Sequence, residues 1–208
     1  DGFLGDDVVR STRKLGREER GLSAITWCIN ANTSGFKLDH HNVFFAKDYE
    51  REFNTIFKSR SVCNEPTVYV CAQDRVNGEL STEGKERLLL LINAPADGDH
   101  CAWTHSELEQ QRQNALNVLT RGGLNLDFSE EECVTTCPDQ WHQRFPGSGG
   151  SLYGAASHGI FSSFSRPSST SRIKGLFLAG GSAHPGPGVP MAALSGSIAA
   201  RRIQRDAA

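Results

Sequence analysis

Gly175-Leu176-Phe177-Leu178-Ala179-Gly180-Gly181-Ser182-Ala183-His184-Pro185-Gly186-Pro187-Gly188-Val189-Pro190-Met191 is the stretch that decides the reading of this 208-residue chain. Residues 175–179 form a short apolar run suited to a buried strand, and Gly180-Gly181 ends it. After a loop of glycine and proline, the apolar residues Val189, Ala192, Ala193, Leu194, Ala199 and Ile203 recur at helical spacing over residues 189–205. Strand, glycine-rich loop and helix in that order is the plan of a nucleotide-binding βα unit. A self-sufficient dinucleotide site needs G-x-G-x-x-G in its first βα turn and an acid about twenty residues on. Gly186-Pro187-Gly188-Val189-Pro190-Met191 lacks that spacing, and its prolines have no N–H to offer a pyrophosphate. The segment therefore reads as the closing edge of a cofactor domain whose opening βαβ unit lies upstream of Asp1.

Working back along the chain, residues 22–31 read as a strand, bounded by Asn32-Thr33-Ser34-Gly35, and residues 40–45 as a second. Asp48 is placed to cap a helix over 48–58, with Tyr49, Phe53, Ile56 and Phe57 on one face. Strands are expected at 67–73, 87–94 and 132–136. A long helix is expected at 106–121, opened by the capping-box spacing Ser106 to Glu109, lined by Leu108, Ala115, Leu116 and Leu119, and stopped by Gly122-Gly123. The fold class is then α/β (α+β): an incomplete Rossmann-like domain joined to an antiparallel-rich substrate-binding layer. Residues 1–165 make the layer and residues 166–208 the closing segment. Between them, residues 147–159 form a glycine- and serine-rich connection, a type of loop that often carries function. Tyr153, Ser157 and His158 in it are the candidates to meet a substrate.

Composition removes several classes. A net charge of −2 gives no basic footprint for nucleic acid. The six cysteines include no C-x2-C pair, Cys133-x3-Cys137 being the tightest spacing, so they read as reduced thiols. No metal is expected, and a zinc site on His40-His41 or His158 is not favoured by spacing. No apolar run reaches the roughly 18 residues of a membrane span. Arg10, Arg13, Lys14, Arg17 and Arg20 fall at helical spacing and read as a solvated face, with anionic lipid as the alternative. Trp27, Phe44, Phe45 and Tyr69 read as core, and His184 as a structural residue.

The loop of residues 175–191 closely resembles the C-terminal flavin-binding segment of the bacterial carotenoid desaturases. His41-Asn42-Val43-Phe44-Phe45, Glu65-Pro66-Thr67-Val68-Tyr69-Val70-Cys71-Ala72-Gln73-Asp74-Arg75, Leu152-Tyr153-Gly154-Ala155-Ala156-Ser157-His158-Gly159 and Met191-Ala192-Ala193-Leu194-Ser195-Gly196 look like the 1-hydroxycarotenoid 3,4-desaturase branch. That resemblance runs from about Leu22 to Arg205 and implies FAD as cofactor, completing the Rossmann-like half as an FAD-binding domain. It implies dehydrogenation of an apolar carotenoid carrying a tertiary hydroxyl or methoxy group near one end. Gly180, Gly181, Gly186, Gly188, Val189, Pro190 and Met191 are the cofactor-binding candidates. Glycines let backbone approach a flat ring, and the start of a helix offers free N–H groups and partial positive charge. No catalytic side chain is assigned, because the cofactor carries the hard chemistry. The resemblance also implies peripheral contact with membrane lipid on the cytoplasmic side of a bacterial membrane, with oxygen or a quinone as electron acceptor. The alternatives are a sister flavoprotein (phytoene desaturase, carotenoid isomerase or oxygenase) and a non-catalytic lipid-binding or interaction fragment.

Overall fold

The computed structural model describes residues 11, 15–80, 83–156 and 166–206. Its elements in chain order are β1 (Ser23–Gly35), β2 (His41–Phe44), α1 (Tyr49–Phe57), β3 (Val68–Ala72), β4 (Arg75–Val76), β5 (Glu79–Leu80), β6 (Glu86–Ala94), α2 (His105–Arg121), β7 (Leu124–Asp127), β8 (Cys133–Thr136), α3 (Pro138–Arg144) and α4 (Val189–Asp206). The main sheet has the order β2-β3-β6-β1-β7, with β8 also on β1, and every pairing in it is antiparallel.

Period-two alternation decides which face is covered. Ile25, Trp27, Ile29 and Ala31 of β1 point the same way as Leu88, Leu90 and Ile92 of β6 and Val68 and Val70 of β3, and all are buried. Ala115, Val118 and Leu119 of α2 close over them. The opposite face carries two cross-strand rows. His41, Cys71, Leu89, Cys28 and Val134 form one, and Val43, Tyr69, Leu91, Thr26 and Thr136 the other. Val43 is 48% and Val134 62% exposed on that side.

Where the elements depart from the sequence reading, a partner explains it. β1 continues to Gly35 because residues 32–35 find β7 across them. The capping box of α2 is built by Thr104 and Glu107 rather than by Ser106 and Glu109. Both pairs have the required spacing, but Glu109 is taken up by Arg112, whereas the Glu107 carboxylate accepts from both the N–H and the hydroxyl of Thr104. Residues 175–179 are not a strand. Their ladder is a single bridge between Thr170 and Phe177, because among the described residues no strand of the sheet pairs with them.

Arg17 and Arg20 are also not the solvated face that their spacing suggests. Residues 17–19 form one 3-10 turn, and both arginines face the loop after β6. Arg17 and Arg60 converge on Asp97, while Arg20, itself buried, grips Asp99 at 2.6 and 2.7 Å and the Ala96 carbonyl at 3.0 Å. Burial pushes the Asp97 carboxyl up, but the guanidinium groups of Arg17 and Arg60 outweigh it and hold that carboxyl below its ordinary range. Arg20 holds Asp99 down to about 2. Carboxyls depressed in the folded state contribute stability above their unfolded value near pH 4 and lose it as the pH falls through the folded value. Removing one partner of a buried ion pair costs about 3 kcal/mol. Arg20→Met should therefore lower stability by about that amount at neutral pH, measured by thermal denaturation. It should also flatten the loss of stability between about pH 4 and about 2.

Candidate functional site

The loop that follows Phe177 is shaped by its glycines. Gly180, Gly186 and Gly188 have φ of 121°, 144° and 98°, a region that side-chain-bearing residues rarely adopt. A Cβ at Gly180 or at Gly188 would meet no atom of the described residues beyond its chain neighbours within 4 Å, so both positions present bare backbone on an open side. The first helical bond of α4 runs from the Ala192 N–H to the Gly188 carbonyl at 2.9 Å. The N–H groups of Val189 and Met191 precede that bond and have no intrahelical acceptor, and Pro190 between them has none to place. Val189 is 85% exposed. The end of the apolar run is tied to the helix through the Gly180 N–H, which donates to the fully buried Ser195 Oγ at 3.3 Å.

Arg166 joins this loop to the rest of the molecule. Its Nη1 donates to the Gly181 carbonyl at 3.1 Å and its Nη2 to the Ala155 carbonyl at 3.2 Å. It is 6% exposed, and among the described residues no carboxylate pairs with it, so burial pulls its pKa down. A Cβ on Gly186 would sit 3.5 Å from its Nε, and one on Gly154 only 3.0 Å from Ser182 Oγ. The Tyr153–Gly154 turn and the glycine loop therefore meet. In its turn, the 151–156 segment runs beside the start of β1, with the Gly21 N–H on the Gly154 carbonyl at 2.8 Å and the Leu152 N–H on the Leu22 carbonyl at 3.0 Å.

Of the substrate candidates, Tyr153 is exposed and faces out beside this junction, whereas Ser157 and His158 lie outside the described residues. Trp27 and Phe44 are core, as expected, but Phe45 is 64% exposed and Tyr69 stands on the open face of the sheet. Tyr69 stacks on His41, its hydroxyl 2.7 Å from His41 Nδ1. Burial first, and then its hydrogen bond with Cys71, push the Tyr69 hydroxyl up to about 12, and Tyr153 is near enough to add to the shift. The structure thus brings together the seven cofactor candidates of residues 180–191, Tyr153, and one end of the open sheet face. Arg166 and Ser195 escaped the sequence reading. An arginine followed by proline and a serine among alanines give no periodic signal, and only the distances reveal their roles.

Bare backbone at two glycines, two N–H groups with no intrahelical acceptor and the partial positive charge of an 18-residue helix suit a flat ring that gathers negative charge. The residues present therefore fit one wall of a flavin site. Two concavities of the described residues lie elsewhere: one of about 260 Å³ between Trp27, α2 and Cys133, and one of about 350 Å³ beside Arg17 and Arg20. A single wall does not make an enclosed pocket, so backbone geometry is the better guide here than cavity volume.

The Arg166 clamp makes a local prediction. Arg166→Met removes two charge-assisted hydrogen bonds while keeping the bulk of the side chain. The Ala183 and Leu178 amides should then exchange with deuterium about tenfold faster or more, while the β3 and β6 amides keep their protection. Unchanged exchange in the glycine loop would show that the clamp does not hold it.

Residues 44–204 match the family described as flavin containing amine oxidoreductase. The chain is 50% identical over 97% of its length to a hydroxyneurosporene desaturase of Rubrivivax gelatinosus, of which it covers 38%. It is 40% identical over 99% of its length to a hydroxyneurosporene desaturase of Rhodobacter capsulatus, covering 41% of that protein. To a 1-hydroxycarotenoid 3,4-desaturase of a Flavobacterium species it is 33% identical over 94%, covering 40%. The chain spans about two fifths of the length of these relatives. On the match of residues 44–204, which takes in the glycine loop, Arg166 and most of α4, this chain belongs to the flavin containing amine oxidoreductase family.

Proposed function

We propose that this chain is the part of an FAD-dependent carotenoid desaturase that supplies one wall of the flavin site and the bed for the polyene. The observation that carries this reading is the juxtaposition at Arg166. One buried guanidinium fixes the glycine loop and the turn of Tyr153 to each other, beside the start of β1. The named relatives support the substrate class, an acyclic 1-hydroxy or 1-methoxy carotenoid dehydrogenated at C3–C4.

The flavin, when bound, supplies the hydride acceptor. The chain's own residues do the rest. The Val189 and Met191 N–H groups and the α4 dipole offer fixed positive charge where a ring comes to carry negative charge. Gly180 and Gly188 keep Cβ atoms out of that contact. Half-buried Leu89 and Leu91, with exposed Val43 and Val134, offer a conjugated chain an apolar floor. Tyr153 stands at the end where a hydroxyl or methoxy group needs a polar neighbour. Residues 1–165 act as the substrate layer in this account, and residues 166–208 as the closing edge of the FAD domain.

An apolar C40 substrate partitions into lipid, so the same reading puts the protein peripherally on the cytoplasmic side of a bacterial membrane, with oxygen or a quinone taking the electrons. Among the described residues no helix is long and apolar enough to cross a membrane.

Two experiments test the reading. In the full-length protein, Gly188→Val should reduce bound flavin by about tenfold or more, because it strains a φ of 98° and places a branched side chain in the open contact. Gln204→Ala, exposed on the last turn of α4, should change nothing. Equal flavin content in both variants contradicts the cofactor wall. Offered 1-hydroxyneurosporene and lycopene separately, the protein should introduce a new double bond into the hydroxylated substrate alone. Desaturation of lycopene would place it with the sister desaturases, and loss of flavin binding altogether with the lipid-binding alternative.

A further inference from the structure

The open sheet face ends in a cluster that the flavin reading does not use. His40 and His41 are neighbours in sequence, and Cys71 lies thirty residues on, directly opposite His41 in the β2–β3 ladder. One ring nitrogen from each histidine and the Cys71 Sγ all lie within 4.8 Å of one another. The two imidazoles stand edge to face, their planes 86° apart and their centroids 4.5 Å apart.

The hydrogen bonds around the cluster arrange these atoms as ligands. His40 Nδ1 is 3.1 Å from the Arg75 carbonyl oxygen. A carbonyl only accepts, so Nδ1 carries the proton and the lone pair of the neutral ring sits on Nε2. That atom is 3.8 Å from Cys71 Sγ. In a tetrahedral zinc site, with Zn–N of about 2.0 Å and Zn–S of about 2.3 Å, neighbouring N and S ligands are roughly 3.6 Å apart. A backbone carbonyl on the far nitrogen of a ligating histidine is the usual outer support of such sites. Tyr69, at 2.7 Å from His41 Nδ1, steadies the second ring. Cys71 is buried and His41 exposed, which leaves an approach for the ion and a place for water as fourth ligand.

We propose that His40, His41 and Cys71 form a divalent-metal site of zinc type, with three protein ligands and one open position. The Cys71 thiol gives its proton to solvent as the ion binds. The competing account is a plain S–H···N hydrogen bond between Cys71 and His40. Spacing gave no sign of the site, because its third ligand is brought in by strand register. The proposal is independent of the flavin reading, and its test does not depend on flavin content or turnover.

The full-length protein is equilibrated with zinc chloride and desalted, and its metal content is measured. About one zinc per chain should remain, and the zinc X-ray absorption fine structure should show one sulfur near 2.3 Å and nitrogen or oxygen near 2.0 Å. His41→Ala changes an exposed side chain and should reduce affinity by about tenfold or more. Cys71→Ser keeps the buried volume and should remove the sulfur shell. Cys101→Ser, at an exposed thiol outside the cluster, should match the unsubstituted protein. Failure to retain zinc, or a sulfur shell that survives Cys71→Ser, overturns the proposal.

Discussion

Among the described residues the buried Arg166 guanidinium meets no carboxylate and donates instead to two carbonyl dipoles. Because one carbonyl belongs to the glycine loop and the other to the segment beside β1, the same cation that needs these bonds fixes the loop to the sheet. Ala155 bridges to Arg20, and Arg20 is gripped by Asp99 and Ala96 at the end of β6. Position is thus transmitted from the sheet's centre to the start of α4 through two buried arginines in series. In a low-dielectric surrounding such bonds are costly to leave unmade, so they hold the loop in register with the sheet.

The sheet contributes shape rather than chemistry. One face is closed by α2, and the other carries two rows of side chains that each run across five strands, from buried Thr26 and Thr136 to exposed Val43 and Val134. A conjugated hydrocarbon has no groups to hydrogen-bond, so it is recognised by a long apolar surface and by whatever polar group stands at its end. In the proposed function, Leu89, Leu91, Val43 and Val134 are offered as that surface and Tyr153 as the polar end. Three of the relatives that match this chain are named for hydroxylated carotenoids.

The sequence made the amphipathic elements legible and left their partners obscure. β3, β6 and α1 follow from periodicity because one face of each is dictated by burial, whereas α4 follows from residue spacing although only Ala199 of its periodic apolar residues is buried. The 175–179 run failed for the opposite reason: local apolarity argues for a strand, but a strand exists only where another lies beside it. Arg17 and Arg20 looked solvated because charge spacing says nothing about the carboxylates waiting at Asp97 and Asp99. Asp74-Arg75, within the run that marks the resemblance, proves to be a brace: Asp74 holds Arg87, and Arg75 holds the buried Glu86 at 2.6 and 2.8 Å. The glycines of the candidate site were legible as residue types, whereas Arg166, Ser195 and the pairing of His41 with Cys71 exist only in three dimensions.

The central claim is that the start of α4 faces the flavin ring, and the most direct measurement is a structure of the full-length protein with flavin bound. The account predicts the ring edge that bears N1 and the C2 carbonyl within hydrogen-bond reach, about 3 Å, of the Val189 or Met191 N–H, with bare backbone at Gly188 against the ring. A ring placed more than about 10 Å from Gly188, beyond any direct contact, with Arg166 still holding Gly181, would contradict it.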